Sequence, residues 1–236
     1  MIPSIKKKLQ QVLNNSNPLI LGFGREGIST YKLIRYLYPD LVINIADINS
    51  DIKSKVLLQN DKKVNFILGE NYLADSLNGN CYPIFKSPGI SLKNIVINND
   101  TVKLTSQTKL FLDLYRSQII GITGTKGKST TSSLIYNIFK LYYKNTLLAG
   151  NIGKPFFELI YLINRETKII CELSSHQLYD IDKAPHISVL LNIFQEHLDY
   201  YQTYEDYQNA KFNIISKQDK TDICVYNADN KIITLK

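Results

Sequence analysis

The sequence predicts an α/β chain of two successive parallel-sheet units, and three observations carry that expectation. Short apolar runs alternate with stretches of helical periodicity along the whole length. The alternation restarts near Ser117. Each half opens with an apolar run that enters a glycine loop and then a helix, PLILGFGREGIS in the first and SQIIGITGTKGKST in the second.

In the first half a buried strand over Pro18 to Leu21 leads through the glycine turn into a helix reaching Tyr36, and LVINIAD forms a strand ending at Asp47. VNFILG and YPIFKSPGI are further strands, the second broken at Ser87-Pro88-Gly89, where Pro and Gly favour a turn. This reads as a small doubly wound, Rossmann-like sheet. The polar stretch NNDTVKLTSQTKL carries the chain across a boundary placed between about residues 105 and 117. The second half then reads strand SQIIGIT, helix STTSSLIYNIFKLYY, strand NTLLAGN and a helix PFFELIYLIN opened by Pro155. Strands KIICELS and HISVLLNIF, the helix TYEDYQNAKFNIISK and a last strand DICVYNAD complete it, so the second sheet is P-loop-like and stops early.

Composition bounds the function. The 236 residues are 44% hydrophobic, enough for a buried core, and carry a net charge of +7. The basic residues are mostly scattered lysines, which argues against nucleic acid; the one dense run, Lys6 to Lys8, reads as a solvated helix face. No run is long enough for a membrane span, and MIPSIKKKLQ lacks the apolar centre of a signal peptide. Cys81, Cys171 and Cys224 are odd in number and widely spaced, against a disulfide framework or zinc site and in favour of a reducing cytoplasm.

GITGTKGKST has the ingredients of a phosphate loop, backbone amides from Gly124, Thr125, Lys126 and Gly127 and the start of a helix at Lys128, Ser129 and Thr130. It departs from the general P-loop pattern, which wants glycine where Ile122 stands. Lys128 is placed to reach phosphates and the Ser129 hydroxyl to ligate Mg²⁺. Glu172 ends an apolar strand, where a carboxylate is a hard ligand for the same ion or a plain edge carboxylate. His197 also follows an apolar run. Tyr204, Tyr207, Lys211 and Ile214 lie at spacings of three, four and three, which puts Lys211 on an apolar helix stripe. That pattern alone favours a lysine whose methylenes pack while its ammonium reaches water. Gly22, Gly24 and Gly27 form G-x-G-x-x-G with Asp47 about twenty residues on, the pattern of a dinucleotide or diphosphate site.

GITGTKGKST, GNIGKP, ELSSHQL, NIFQEHLD and YQNAK, in this order and spacing, resemble the Mur ligases, and within them the D-glutamate-adding branch; the diaminopimelate- or lysine-adding branch also carries an SSH string. The resemblance implies a UDP-substrate-binding domain over about residues 1–110, where Gly22, Gly24, Gly27, Asp47 and Ser87 contact UDP-N-acetylmuramoyl-L-alanine, and an ATP-binding central domain over 111–236. Asn151 and Ser174 are implied as further substrate contacts. Lys128, His197 and Lys211 are implied as catalytic, with one Mg²⁺ on Ser129 and Glu172 and a second served by His197 and a carbamylated Lys211. The implied reaction is ATP-dependent attachment of D-glutamate through an acyl phosphate, in peptidoglycan precursor synthesis, by a monomer that uses neither membrane nor nucleic acid. Departures from the family pattern are Lys126 for a common Asn, Glu196 for Asp, and Asn49 near a common Arg. The family's carboxy-terminal amino-acid-binding domain is expected to be absent, so that the chain alone binds without turnover. A non-catalytic nucleotide-binding remnant and, on GFGREG alone, an NAD-dependent oxidoreductase are the competing expectations.

Overall fold

The computed structural model describes residues 2–55, 58–77, 83–93, 95 and 103–235. Cys81 and the NNDTV part of the connecting stretch lie outside the described residues. The chain divides into two compact units, Ile2–Gln107 and Thr108–Lys236.

The first unit begins with α1 (Ile2–Leu13), which buries Ile5, Leu9 and Leu13 at a spacing of four and leaves Lys6 and Lys7 in solvent. β1 (Leu19–Leu21), α2 (Arg25–Leu37), β2 (Ile43–Asp47), β3 (Val64–Leu68), α3 (Tyr72–Leu77), β4 (Ile84–Lys86) and β5 (Leu104–Thr105) follow. The sheet order is β3-β2-β1-β4-β5, with every pairing parallel. Leu19 faces Asn44 on one side and Ile84 on the other, so β1 is central, and its three residues are all buried. Leu19, Leu21, Ala46 and Ile84 form a core closed by Ile67, Leu73, Leu77 and Ile90. The strand order reverses between β1 and β4, the point at which parallel sheets collect ligands.

The second unit runs α4 (Gln107–Tyr115, its first residue in the preceding unit), β6 (Ile119–Thr123), α5 (Lys128–Tyr142), β7 (Thr146–Gly150), α6 (Phe156–Leu159), β8 (Lys168–Glu172), α7 (Ser175–Leu178), β9 (Ile187–Leu190), α8 (Tyr204–Ser216), β10 (Ile223–Tyr226) and α9 (Lys231–Thr234). Its sheet, β10-β9-β6-β8-β7, is also wholly parallel. Ile120, Ile122 and Ile170 pack against Ile135 and Phe139 of α5 on one face. Leu190, Ile193, Tyr201, Tyr207 and Ala210 form a second cluster that includes α8. Glu196 precedes a turn at His197, and Thr203 opens α8 with a reciprocal cap to Asp206.

The parallel α/β architecture is as the sequence predicts, with local differences. α4 lies inside a stretch read as a polar connector, because its apolar residues Leu110, Phe111, Leu112 and Tyr115 were outweighed by the polar run before them. The helix expected over 155–164 stops at Leu159 and continues as one 3₁₀ turn. Phe156, Phe157, Leu159 and Ile160 are buried, while Glu158, Tyr161 and Leu162 are exposed, so apolar residues stand on both the buried and the exposed side of that segment. Among the described residues no helix is long and apolar enough to cross a membrane.

Candidate functional site

β6 delivers the chain to the carboxyl edge of the second sheet, where Gly124 to Gly127 turn into α5. The N-cap of this fifteen-residue helix is Gly127, which has no side chain to cap it, and that leaves its first amides open to an anion. Lys128 folds back over the loop, its ammonium donating to Gly124 O and Thr125 O at 2.9 Å each. Burial lowers its proton affinity, opposed by the charges of Glu172 and Glu196.

The loop is fixed from β9. Thr125 N donates to Asn192 O at 2.9 Å, Lys126 N to Asn192 Oδ1 at 2.8 Å, and Asn192 Nδ2 returns a bond to Lys126 O at 3.1 Å. The Thr125 hydroxyl accepts from Phe194 N at 2.9 Å and lies 2.8 Å from the Tyr207 hydroxyl of α8. Lys126 pairs its ammonium with Glu196 Oε1.

Glu172 ends β8 directly beside β6, opposite Ile122 in register. It is fully buried; Oε1 accepts from Asn151 Nδ2 at 2.7 Å, while Oε2 has no partner among the described residues. Gly150 makes this possible: at φ +98° it brings β7 so close that a Cβ would sit 2.1 Å from Glu172 O. A buried carboxylate with one unmatched oxygen fits a cation, since leaving it bare costs free energy. Among the described residues no three His, Cys, Asp or Glu side chains gather into a metal cage, so a cation here would complete its shell with hydroxyl, phosphate or water oxygens.

Lys211 departs from the sequence expectation. Its side chain is 2% exposed rather than reaching water; the ammonium donates to Gly124 O at 2.8 Å and lies 4.9 Å from the centre of the Tyr207 ring. Burial first, and Lys128 second, depress its pKa from 10.5 to about 7. His197 adopts φ +59°, remains half-exposed, and meets the rings of His176 at 4.8 Å and Tyr207 at 6.0 Å. Ser129 and Thr130 are exposed at the start of α5. Ser174 caps α7, its Oγ accepting from Gln177 N at 3.2 Å, so its hydroxyl is committed locally.

The structure thus gathers Lys128, Asn151, Glu172, His197 and Lys211 along one sheet edge. Sequence reasoning gave no role to Asn192, Tyr207 or the partner of Lys126. Their contacts with the loop span 66 to 82 residues and leave no local pattern.

In the first unit, Ser87 donates to Gly22 O at 2.7 Å and so joins the loops after β1 and β4 at the switch point. Asp47 Oδ2 accepts from Phe23 N at 2.6 Å and Oδ1 from Asn49 N at 2.8 Å. Oδ2 therefore orders the glycine loop, and Oδ1 the turn after β2. Gly27 is required by closeness: a Cβ there would lie 2.1 Å from Gly22 O. An apolar groove of about 530 Å³ between α8, β10 and α9, lined by Phe212, Ile215, Cys224, Tyr226 and Ile233, has no charged group to receive phosphate.

Residues 122–236 match the Mur ligase middle domain. The chain is 36% identical to the UDP-N-acetylmuramoylalanine–D-glutamate ligase of Pediococcus pentosaceus over 92% of its own length and 49% of the relative, and 35% identical to that of Acetivibrio thermocellus over 96% and 48%. It spans about half the length of these curated relatives. In fold it resembles the UDP-N-acetylmuramate:L-alanyl-gamma-D-glutamyl-meso-diaminopimelate ligase of Neisseria meningitides, with a TM-score of 0.53, 13% identity and 93% and 73% of the two chains covered. On these similarities, residues 122–236, which carry the Lys128 loop and the strand-end Glu172, belong to the Mur ligase family as its middle domain.

Proposed function

We propose that the chain provides the nucleotide- and UDP-substrate-binding parts of a ligase that attaches D-glutamate to UDP-N-acetylmuramoyl-L-alanine at the expense of ATP, in cytoplasmic synthesis of peptidoglycan precursor. The observation that carries this reading is the convergence of two lysine ammoniums, uncapped helix amides and a half-matched buried carboxylate on one loop. Such a loop suits a triphosphate and its divalent cation.

In this reading the α5 amides and Lys128 bind and orient the phosphates, so that the γ-phosphoryl is presented to the alanyl carboxylate and an acyl phosphate forms for attack by the amine of D-glutamate. Most of the catalytic contribution is positioning and charge neutralisation. Glu172 and Ser129 would hold one Mg²⁺, and His197 with a carbamylated Lys211 would serve a second; when bound, the cations neutralise charge on the transferring phosphoryl. With a pKa of about 7, Lys211 has an appreciable neutral fraction at physiological pH, the form that reacts with CO₂. Asn151 orients Glu172 and so acts through it, whatever further contact it makes with substrate. In the first unit the α2 amino terminus and the loop from Gly22 to Gly24 would receive the UDP diphosphate, with Asp47 and Ser87 fixing that loop. An NAD site is the weaker reading, because it rests on GFGREG alone, whereas the similarity to the D-glutamate ligases runs over 92% of the chain.

The test is phosphate release from ATP and Mg²⁺ with UDP-N-acetylmuramoyl-L-alanine, with and without D-glutamate, by the chain alone and mixed with the remaining half of a relative as a separate polypeptide. D-glutamate-dependent product in the mixture supports the proposal. Tight NADH binding with no response to ATP would overturn it.

A further inference from the structure

The charges around the phosphate loop are not balanced by the groups assigned above. Lys128 and Lys211 converge on Gly124 O, and Lys126 stands on the same loop, so three cations crowd one turn whenever Lys211 is protonated and uncarbamylated. Their mutual repulsion shows in Lys128 and Lys211, where a neighbouring lysine adds to the effect of burial. Glu196 answers all three. Its Oε1 takes the Lys126 ammonium, its charge acts on Lys128 and Lys211 in the opposite sense to burial, and its Oε2 lies 3.8 Å from His197 Nε2.

The Lys126–Glu196 pair does not hold the backbone of the loop. Asn192 already fixes the Lys126 amide and carbonyl, and it also fixes Thr125. The Lys126 side chain is 73% exposed and can leave Glu196 without disturbing the turn. A carboxylate held beside an anion site by an exposed lysine is in the position of the ligand's own charge.

We propose that Glu196 is an internal stand-in for phosphate: it neutralises the free loop through Lys126, and an incoming polyphosphate takes Lys126 over, making Lys126 a second phosphate clamp and Glu196 a brake on affinity. One ion pair is exchanged for another, and no covalent bond changes. The proposal rests on the loop being the ATP site. It adds a specificity consequence: the exchange favours the ligand with the most charge at the loop mouth, a triphosphate over a diphosphate.

Binding of adenosine, ADP and an ATP analogue with a non-transferable γ-phosphate is measured in metal-free buffer by calorimetry, with circular dichroism confirming the fold of each variant. Glu196→Gln tightens the triphosphate by about two- to fivefold, the range of an exposed ion pair, and leaves adenosine unchanged. Glu196→Asp, which keeps the charge, stays near wild type. Lys126→Met weakens the triphosphate and abolishes the gain from Glu196→Gln in the double variant. Equal or weaker triphosphate binding in folded Glu196→Gln, or a gain that survives Lys126→Met, overturns the stand-in role. Failure of the underlying reading looks different: wild type then shows no analogue binding that Lys128→Ala removes.

Discussion

Lys128 and Lys211 share one acceptor, the carbonyl oxygen of Gly124, at 2.9 and 2.8 Å. Two ammoniums on one oxygen form a concentrated positive site, and the less exposed of them pays through its proton affinity. Lys211 has its pKa lowered to about 7. The unfolded chain keeps that proton up to the ordinary lysine range, so between pH of about 7 and 10 the unfolded state binds more protons than the folded one. Stability therefore rises with pH in this window, by at most about 1.4 kcal/mol per pH unit. Buried Cys171 acts in the opposite direction above its ordinary range, since its thiol is pushed up by burial. Urea unfolding at pH about 7.0 and 8.5 is expected to show the rise in wild type relative to Lys211→Met, which carries no charge at that position. Parallel pH curves for the two would contradict a depressed Lys211.

How far this site was legible follows from where its information lies. The apolar run of β6 leads into the loop that carries Lys128, and Glu172 ends the apolar run of β8, so local patterning placed both beyond strand ends, on one edge once the strands are parallel. Lys211 could not be settled that way, because an apolar stripe looks the same whether a lysine reaches water or is sealed in. Only the packing of Tyr207 and the approach of Gly124 from 87 residues away decide it. α4 was hidden by polar neighbours, and α6 was overextended because the exposed apolar residues Tyr161 and Leu162 prolong the apolar run past the end of the helix.

Nucleotide and UDP substrate are expected to respond to different substitutions. Lys128→Ala removes a charged donor from the phosphate loop and should weaken ATP by about ten- to a hundredfold. The glycine loop after β1 belongs to the other compact unit, so affinity for the UDP substrate should hold. Titrating both ligands against the folded variant checks this; parallel loss of the two would show that the assignment of sites to units is wrong.

Glu172 is expected to trade stability for cation binding. One of its oxygens is matched by Asn151, whereas Oε2 is buried without a partner among the described residues. Glu172→Gln removes the charge and can keep an acceptor for Asn151. Its melting temperature should rise by about 2–4 °C, the response of a chain this size to about 1 kcal/mol. Mg²⁺ should then no longer strengthen binding of the ATP analogue. A variant that melts lower and retains the Mg²⁺ effect would place the cation elsewhere.

The two glycines that bracket the start of α2 make a paired prediction. Gly24 has nothing within 4 Å of the place a Cβ would take, whereas a Cβ on Gly27 would fall 2.1 Å from Gly22 O. Gly27→Ala must therefore push α2 away from the end of β1 and loosen the packing of Tyr31, Leu33 and Ile34. A loss of roughly 2–4 kcal/mol is expected, as for overpacking with backbone displacement. Gly24→Ala should leave the melting curve almost unchanged, yet the added methyl stands at the uncapped amino terminus of α2, where the diphosphate must approach the backbone. Weakened UDP-substrate binding in a stable Gly24→Ala variant would mark the loop as a ligand cradle. Unchanged binding there would mean that the glycine pattern serves helix–strand packing alone.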